Sequence, residues 1–454
     1  MGPQASRPSR VARLFHLDEL GSDVRREVFA GLTTFAAMAY ILVVNPGILA
    51  AAGMATPGLI TVTALAAASG TLLMAALTNY PLALAPGMGL NAFFALTVCA
   101  GMGIPWQAAL GMVFWNGAFF LALSLSGLRG RLAEAIPEPL KIGVQAGIGL
   151  FIGFIGLRGA GVIVASPATL VTLGDLSEPA RLLALAGIVV AGALVAVGVR
   201  AGILAAILAV TVVGAWVPLG DGVVTELPPS IVGAPAGIGE TLLALDLGYT
   251  WRHPATALPV VLALLFVDLF DTIGTLIGVS RQAGLVDAEG RLPKIGRALT
   301  ADAAATVIGA CLGTSTTTSY IESAAGVEAG GRSGLVGVVV AGCFVAALLF
   351  APLLAAIPAQ ATAAALVLVG AAMLRGLRGL DFDDGPGVLA AFVTLLAMPL
   401  AFSISEGIAL GFLVYAGVMA LAGRGRELGG LTWAMVLLCL AHYVGPALAR
   451  ALGA

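Results

Sequence analysis

The chain has 454 residues, 59% of them hydrophobic and 10% charged, with a formal net charge of −2 and a mean hydropathy of +1.04. Soluble domains carry about 25% charged residues, so a water-soluble globular fold is excluded, and the balanced charge offers no footing for nucleic acid. Cys99, Cys311, Cys343 and Cys439 fall in apolar stretches without metal-like spacing and read as packing residues.

Residues 1–27 are polar and Arg-rich, with no apolar core or small-residue cleavage site, and read as a cytoplasmic N-terminal segment. Hydropathy punctuated by Gly and Pro then predicts an all-α polytopic membrane protein with about fourteen spans. They run over 28–49, 58–78, 84–100, 106–127, 138–157, 181–199, 201–218, 256–280, 296–312, 314–328, 333–352, 360–375, 386–403 and 405–422. The stretch 431–449 is either a further span or a re-entrant piece.

In span 1, Thr33 and Thr34 satisfy local backbone or line a pocket, and Asn45-Pro46 reads as a helix break. Span 3 contains "PLALAPGMGLNAFFAL", in which Pro86-Gly87 and Gly89 forbid a clean helix, so a helix is predicted to begin near Leu90-Asn91. Asn116 and Gln145 read as interhelical hydrogen-bond partners. The loop 219–255 reads as solvated and without chemistry.

Span 8 carries "LLFVDLFDTIGTLIGVS", where Asp268 and Asp271, three apart, share a helix face. No Lys or Arg lies at similar depth, so one carboxylate is expected to be protonated for part of a cycle, which suits proton coupling. Asp302, at the start of span 9, reads as structural. Span 10 opens with "GTSTTTSYIESAAG", a β-prone run of hydroxyls followed by Glu322. Ser319 is a predicted N-cap, with Glu322 three residues on as in a capping box.

An N-terminus-inside layout puts 18 of the 22 Lys/Arg on the cytoplasmic side. It puts Arg158, Arg181 and Arg252 outside and leaves Arg450 unassigned. That bias supports both topology and orientation. Fourteen spans divide into seven plus seven, and an odd-numbered unit repeated in tandem is inverted, as in many transporters. Spans 3 and 10 are each third in their half, and each is a short extended piece before a half-helix. Non-helical backbone at membrane depth is tolerated only where it is buried in protein or lines a cavity. Two half-helix N-termini meeting there form a polar site. An ionisable group at that depth costs about 2.5–3.5 kcal/mol on insertion scales, which points to function for Glu322.

At these residues the chain resembles the adenine/guanine/hypoxanthine permease branch of the nucleobase–cation symporters. The similarity lies in "GLTTFAAMAYILVVNPGIL", "LALAPGMGLNAFFAL", "FVDLFDTIGTLIGV", "ADAAATVIGACLGTSTTTSYIESAAGVEAGGRSGL" and "FSISEGIALGFLVY". The resemblance implies a core domain of spans 1–4 and 8–11 (28–136 and 256–353). It implies a gate domain of spans 5–7 and 12–14 (137–255 and 354–423), followed by a C-terminal apolar segment, 424–454. It also implies elevator-like movement of core against gate and a homodimer through the gate. Carried over, the substrate residues are Asn91, Asp268 and Glu322, with Tyr320 and Ile321 amides donating to the base. Thr318 and Thr34 line the pocket, and Phe93, Phe94 or Phe35 pack against the ring. The xanthine/uracil branch often has a histidine on span 8. None stands here, which favours purines, and the proton carrier is then Asp268 or Glu322, with Asp271 beside them. No cofactor is expected beyond the coupling proton, and the partners expected are a purine nucleobase and the lipid bilayer.

Three rivals are weaker. A prenyltransferase-like enzyme would hold Mg²⁺ at Asp268 and Asp271, but would need a second acidic cluster and basic phosphate partners at the same depth. An anion transporter would be repelled by three carboxylates. A channel has no use for two acidic broken-helix elements.

Overall fold

A computed structural model describes residues 9–126, 137–287, 292–430, 432, 433, 435–437, 439 and 440. Most of 431–449 therefore lies outside the described residues, as do Arg7, Arg129, Arg131, Arg291 and Arg450 of the charge count.

The first half runs α1 (Arg10–Leu14), α2 (Val24–Met38), α3 (Ile41–Ala50), α4 (Thr56–Thr78), β1 (Leu84–Pro86), α5 (Met88–Ala92), a π-helix (Phe93–Gly101) and α6 (Trp106–Ser126). Then come α7 (Glu138–Gly159), the hairpin β2 (Ile163–Ser166) and β3 (Leu170–Leu173), α8 (Pro179–Ala196), α9 (Gly202–Gly214), and the short strands β4 (Pro218–Leu219) and β5 (Gly222–Val223). The second half runs α10 (Tyr249–Arg252), α11 (Pro254–Gln282), α12 (Ile295–Leu312), β6 (Thr317–Ser319), α13 (Ser323–Glu328), α14 (Leu335–Ala347), α15 (Ala351–Ala355), α16 (Ala359–Met373), α17 (Gly385–Leu400) and α18 (Ile404–Leu421).

Among the described residues nine helices are long and apolar enough to cross a membrane, and four shorter apolar helices stand where other spans were expected. The chain is an integral membrane protein. Its helices pack in two groups. One joins α14 to α2 and α4, and α12 to α4 and α6; the other joins α16 and α17 to α7, α16 to α8, α8 to α9, and α17 to α18. Small residues permit the close crossings: Gly149 of α7 and Gly370 of α16 face each other, and a Cβ on either would overlap the other's carbonyl.

Four local expectations are corrected. Pro46 lies inside α3, and span 1 is interrupted instead by a two-residue turn at Ala39-Tyr40, both in the right-handed helical region. The span 3 helix starts at Met88, directly after Gly87. The loop 219–255 is fastened to the bundle rather than simply solvated: Asp246 N–H donates to Gln107 O, Leu243 N–H to Cys311 O and Thr61 Oγ1 to Ala236 O. In that loop, a hydrogen bond from the Arg252 guanidinium holds the Asp246 carboxyl below the usual carboxylate range. The fourth correction concerns Ser319: the capping box does not form, because Ser319 is in β6 and α13 begins only at Ser323. The Ser319 N–H and hydroxyl both go to Asp302 Oδ1, at 2.9 Å each.

Candidate functional site

β1 and β6 pair antiparallel, with Leu84 opposite Ser319, Ala85 opposite Thr318 and Pro86 opposite Thr317. Tyr320 N–H to Ala83 O and Gly87 N–H to Thr316 O, both 2.9 Å, extend the ladder. All six strand residues are buried. With no water at that depth, an isolated extended segment would leave its amides unpaired, and two broken spans satisfy each other. Hydroxyls finish the accounting: Thr306 Oγ1 donates to Thr317 O, Thr71 Oγ1 to Leu84 O, and Ala83 N–H to Ser323 Oγ.

Much of the hydroxyl run therefore builds the scaffold. Thr318 Oγ1 lies 2.8 Å from Thr272 Oγ1, and Thr272 donates to Asp302 Oδ2 at 2.8 Å. Asp302 thus ties α11, α12 and β6 together, the structural role read for it. Asn91 is also engaged: its Nδ2 donates to Asn45 Oδ1 at 2.6 Å, and its Oδ1 accepts from Ser315 Oγ. Asn45 Nδ2 reaches Thr63 Oγ1 and Thr314 Oγ1. This buried network joins spans 1, 2, 3 and 10. Asn45 was read only as part of a helix break; a buried amide with four hydrogen-bonding positions is itself the signal of such a hub.

Glu322 stands two residues beyond Tyr320, at the mouth of α13. Tyr40 Oη donates to Glu322 Oε1 at 2.5 Å. Tyr320 Oη donates to Pro86 O at 2.5 Å, so its ring bridges back to span 3. Asp271 lies in electrostatic range of Glu322, Asp302 and Tyr320. Glu322 and Asp271 are partly open, and the neighbouring Gly274 and Gly278 are exposed. Ile321, 50% exposed, leans over Gly278. Asp268 is fully buried, and its Oδ2 accepts from Asn116 Nδ2 at 3.3 Å, the interhelical bond expected of Asn116. Phe93 is buried, and the Thr34 hydroxyl is packed against Gly326 of α13.

Tyr40 was missed from the sequence. Its signal was a lone phenol in an otherwise apolar stretch, since a buried Tyr hydroxyl needs a partner. A cavity of about 230 Å³ lies apart from Glu322, lined mainly by apolar residues of α3, α4, α7 and α16 such as Val44, Ile60, Ile155 and Leu366. No group of three His, Cys, Asp or Glu side chains among the described residues is placed to hold a metal ion.

The sequence is similar to known transporters over nearly its whole length. The guanine/hypoxanthine permease PbuG of Bacillus subtilis is 44% identical over 95% of this chain and 98% of its own. The adenine permease AdeP of Escherichia coli is 41% identical over 97% of each. In fold, the chain is similar to the transmembrane domain of the cyanobacterial bicarbonate transporter BicA, with a TM-score of 0.64 at 16% identity over 85% of this chain and 97% of that one. The profile of the permease family matches residues 25–410. These relatives are transport proteins, not enzymes, and the chain belongs to the permease family, on the branch of the adenine and guanine/hypoxanthine permeases.

Proposed function

We propose that the protein takes up purine nucleobases by proton-coupled symport, with Glu322 as the main substrate anchor. The observation that carries this reading is Glu322, half-buried just past the paired strands with its carboxylate held by Tyr40. A carboxylate accepts hydrogen bonds from neighbouring N–H groups, which a purine edge presents. The Ile321 backbone lies beside it for the base's acceptors, whereas the Tyr320 amide, also expected to donate to the base, is taken by Ala83 O. Relatives named for adenine, guanine and hypoxanthine support the substrate class. Asn91, Thr318, Thr34 and Phe93 act mainly by shaping the wall, since their side chains are engaged or packed elsewhere in the site.

The coupling proton resides on the carboxylates nearest the substrate. Asp271, partly open and beside Glu322, supports a role for that pair, and Asp268 backs them from a fully buried position. Proton and substrate must favour the same loaded state for transport to be coupled.

The two packing groups of helices match the proposed core and gate, and the order α4–β1–α5 recurs as α12–β6–α13. Both support seven-plus-seven inverted repeats and an elevator-like shift; the cytoplasmic N-terminus rests on the Lys/Arg bias and the homodimer through the gate on the family resemblance.

The test is uptake of labelled adenine, guanine, hypoxanthine, xanthine and uracil in cells lacking their own permeases, with and without a protonophore. Saturable purine uptake that collapses with the proton gradient is expected. Uptake indifferent to the protonophore would remove proton coupling, and no uptake of any purine by protein present in the membrane would sink the substrate class.

A further inference from the structure

We infer that span 1 splints the half-helix bearing Glu322, and that Tyr40 is the positioning residue that sets the Glu322 carboxylate for the base; this rests on the purine-anchor reading. α13 has only six residues. A helix that short has no stability of its own, because nucleation costs more than one turn returns. Its anchor residue sits at the N-cap, without a side-chain cap bond. Something outside α13 must fix both the helix and the carboxylate.

Span 1 meets it at three heights. At one end, buried Glu27 of α2 accepts from Arg332 N–H at 2.9 Å, Ser333 N–H at 3.1 Å and Ser333 Oγ at 2.8 Å. Arg332 Nη1 in turn donates to Val327 O and Gly331 O, closing the C-terminal end of α13. In the middle, a Cβ at Gly326 would overlap the Thr34 hydroxyl and approach Ala30 O at 2.8 Å, so the two backbones touch. At the other end the helix breaks at Ala39-Tyr40, and Tyr40 donates to Glu322 Oε1. Tyr40 is fully buried.

The break therefore has a use. It places a rigid phenol, with only two side-chain torsions, against one oxygen of the anchor. A carboxylate has about four acceptor sites on its two oxygens. Tyr40 consumes one and fixes the plane of the rest, so the carboxylate meets the base already oriented. Orienting a group before binding raises affinity by removing an ordering cost.

Tyr40→Phe keeps the ring and deletes the donor. Uptake kinetics of labelled purine in cells are expected to show KM raised roughly 10- to 100-fold, the loss typical of a hydrogen bond to a charged group, with Vmax per transporter in the membrane nearly unchanged. Glu322→Asp shortens the carboxylate away from Tyr40. Adding Tyr40→Phe to it should raise KM little further, since interacting residues are non-additive. An unchanged KM in Tyr40→Phe, a loss in Vmax alone, or fully additive effects would overturn the inference. Should Tyr40→Phe fail to reach the membrane, Gly326→Ala carries the test by pushing α13 off span 1. KM should rise there too, and an unchanged KM is equally fatal. Wild-type protein that moves no purine would instead refute the function, so the two failures are told apart.

Discussion

The residue scale holds the sharpest divisions, because carboxylates that look alike in the sequence have different neighbours. Asp302 receives the Ser319 amide and hydroxyl and the Thr272 hydroxyl. Asp302→Ala strands the buried Ser319 amide, at about 1–3 kcal/mol for the unsatisfied group. It is expected to lower the unfolding temperature of the detergent-solubilised protein, which a thermal melt reads directly. Glu322→Gln keeps the size and removes the charge. It should abolish saturable purine uptake while protein continues to accumulate in the membrane, and substrate affinity equal to wild type would end the anchor assignment. Asp271→Asn, beside Glu322, is expected to leave purine binding measurable but to weaken the dependence of uptake on external pH. The sign follows from the proposed coupling: wild-type uptake is expected to fall as external pH rises, and the variant's curve should be flatter.

At the scale of elements, the two irregular spans were legible as irregular but not as partners. Pro86-Gly87 and the run from Thr314 to Ser319 forbid helix by composition alone. That they hydrogen-bond each other across more than two hundred residues is a tertiary fact. The capping box failed for the same reason. Ser319 and Glu322 have the right spacing, but Ser319 is held in β6, with its N–H and hydroxyl both donating to Asp302. Proline at position 46 likewise suggested an interruption of span 1 at the wrong place; the turn lies at Ala39-Tyr40 and α3 runs through Pro46. As an element-level check, Thr318→Pro should disrupt the strand ladder, since Thr318 faces Ala85 in a hydrogen-bonded pair, proline brings no N–H, and among the described residues β6 is paired only to β1. Loss of folded protein by size-exclusion chromatography is the expected result.

For the whole molecule, the proposed movement of one helix group against the other makes a geometric prediction. Gly89 of α5 sits against Ile148 of α7, where a Cβ at Gly89 would lie 3.9 Å from the Ile148 Cβ. Disulfides span Cβ–Cβ distances of about 3.5–4.5 Å. In a background without the four native cysteines, Gly89→Cys with Ile148→Cys should cross-link under oxidation and stop uptake, and reduction should restore it. Full transport by the cross-linked protein would rule out sliding at this contact.

The sequence by itself determined that the chain lives in a bilayer, which two of its apolar stretches cannot be plain helices, and which acidic residues are costly there. Those follow from local composition and from the expense of polar groups in hydrocarbon. Only the tertiary structure decided which polar groups meet: Asn91 with Asn45, Asp302 with Ser319, Tyr40 with Glu322. Hydrogen bonds are short-ranged and directional, so partners far apart in the chain are chosen by how the helices pack, and no local pattern encodes that choice.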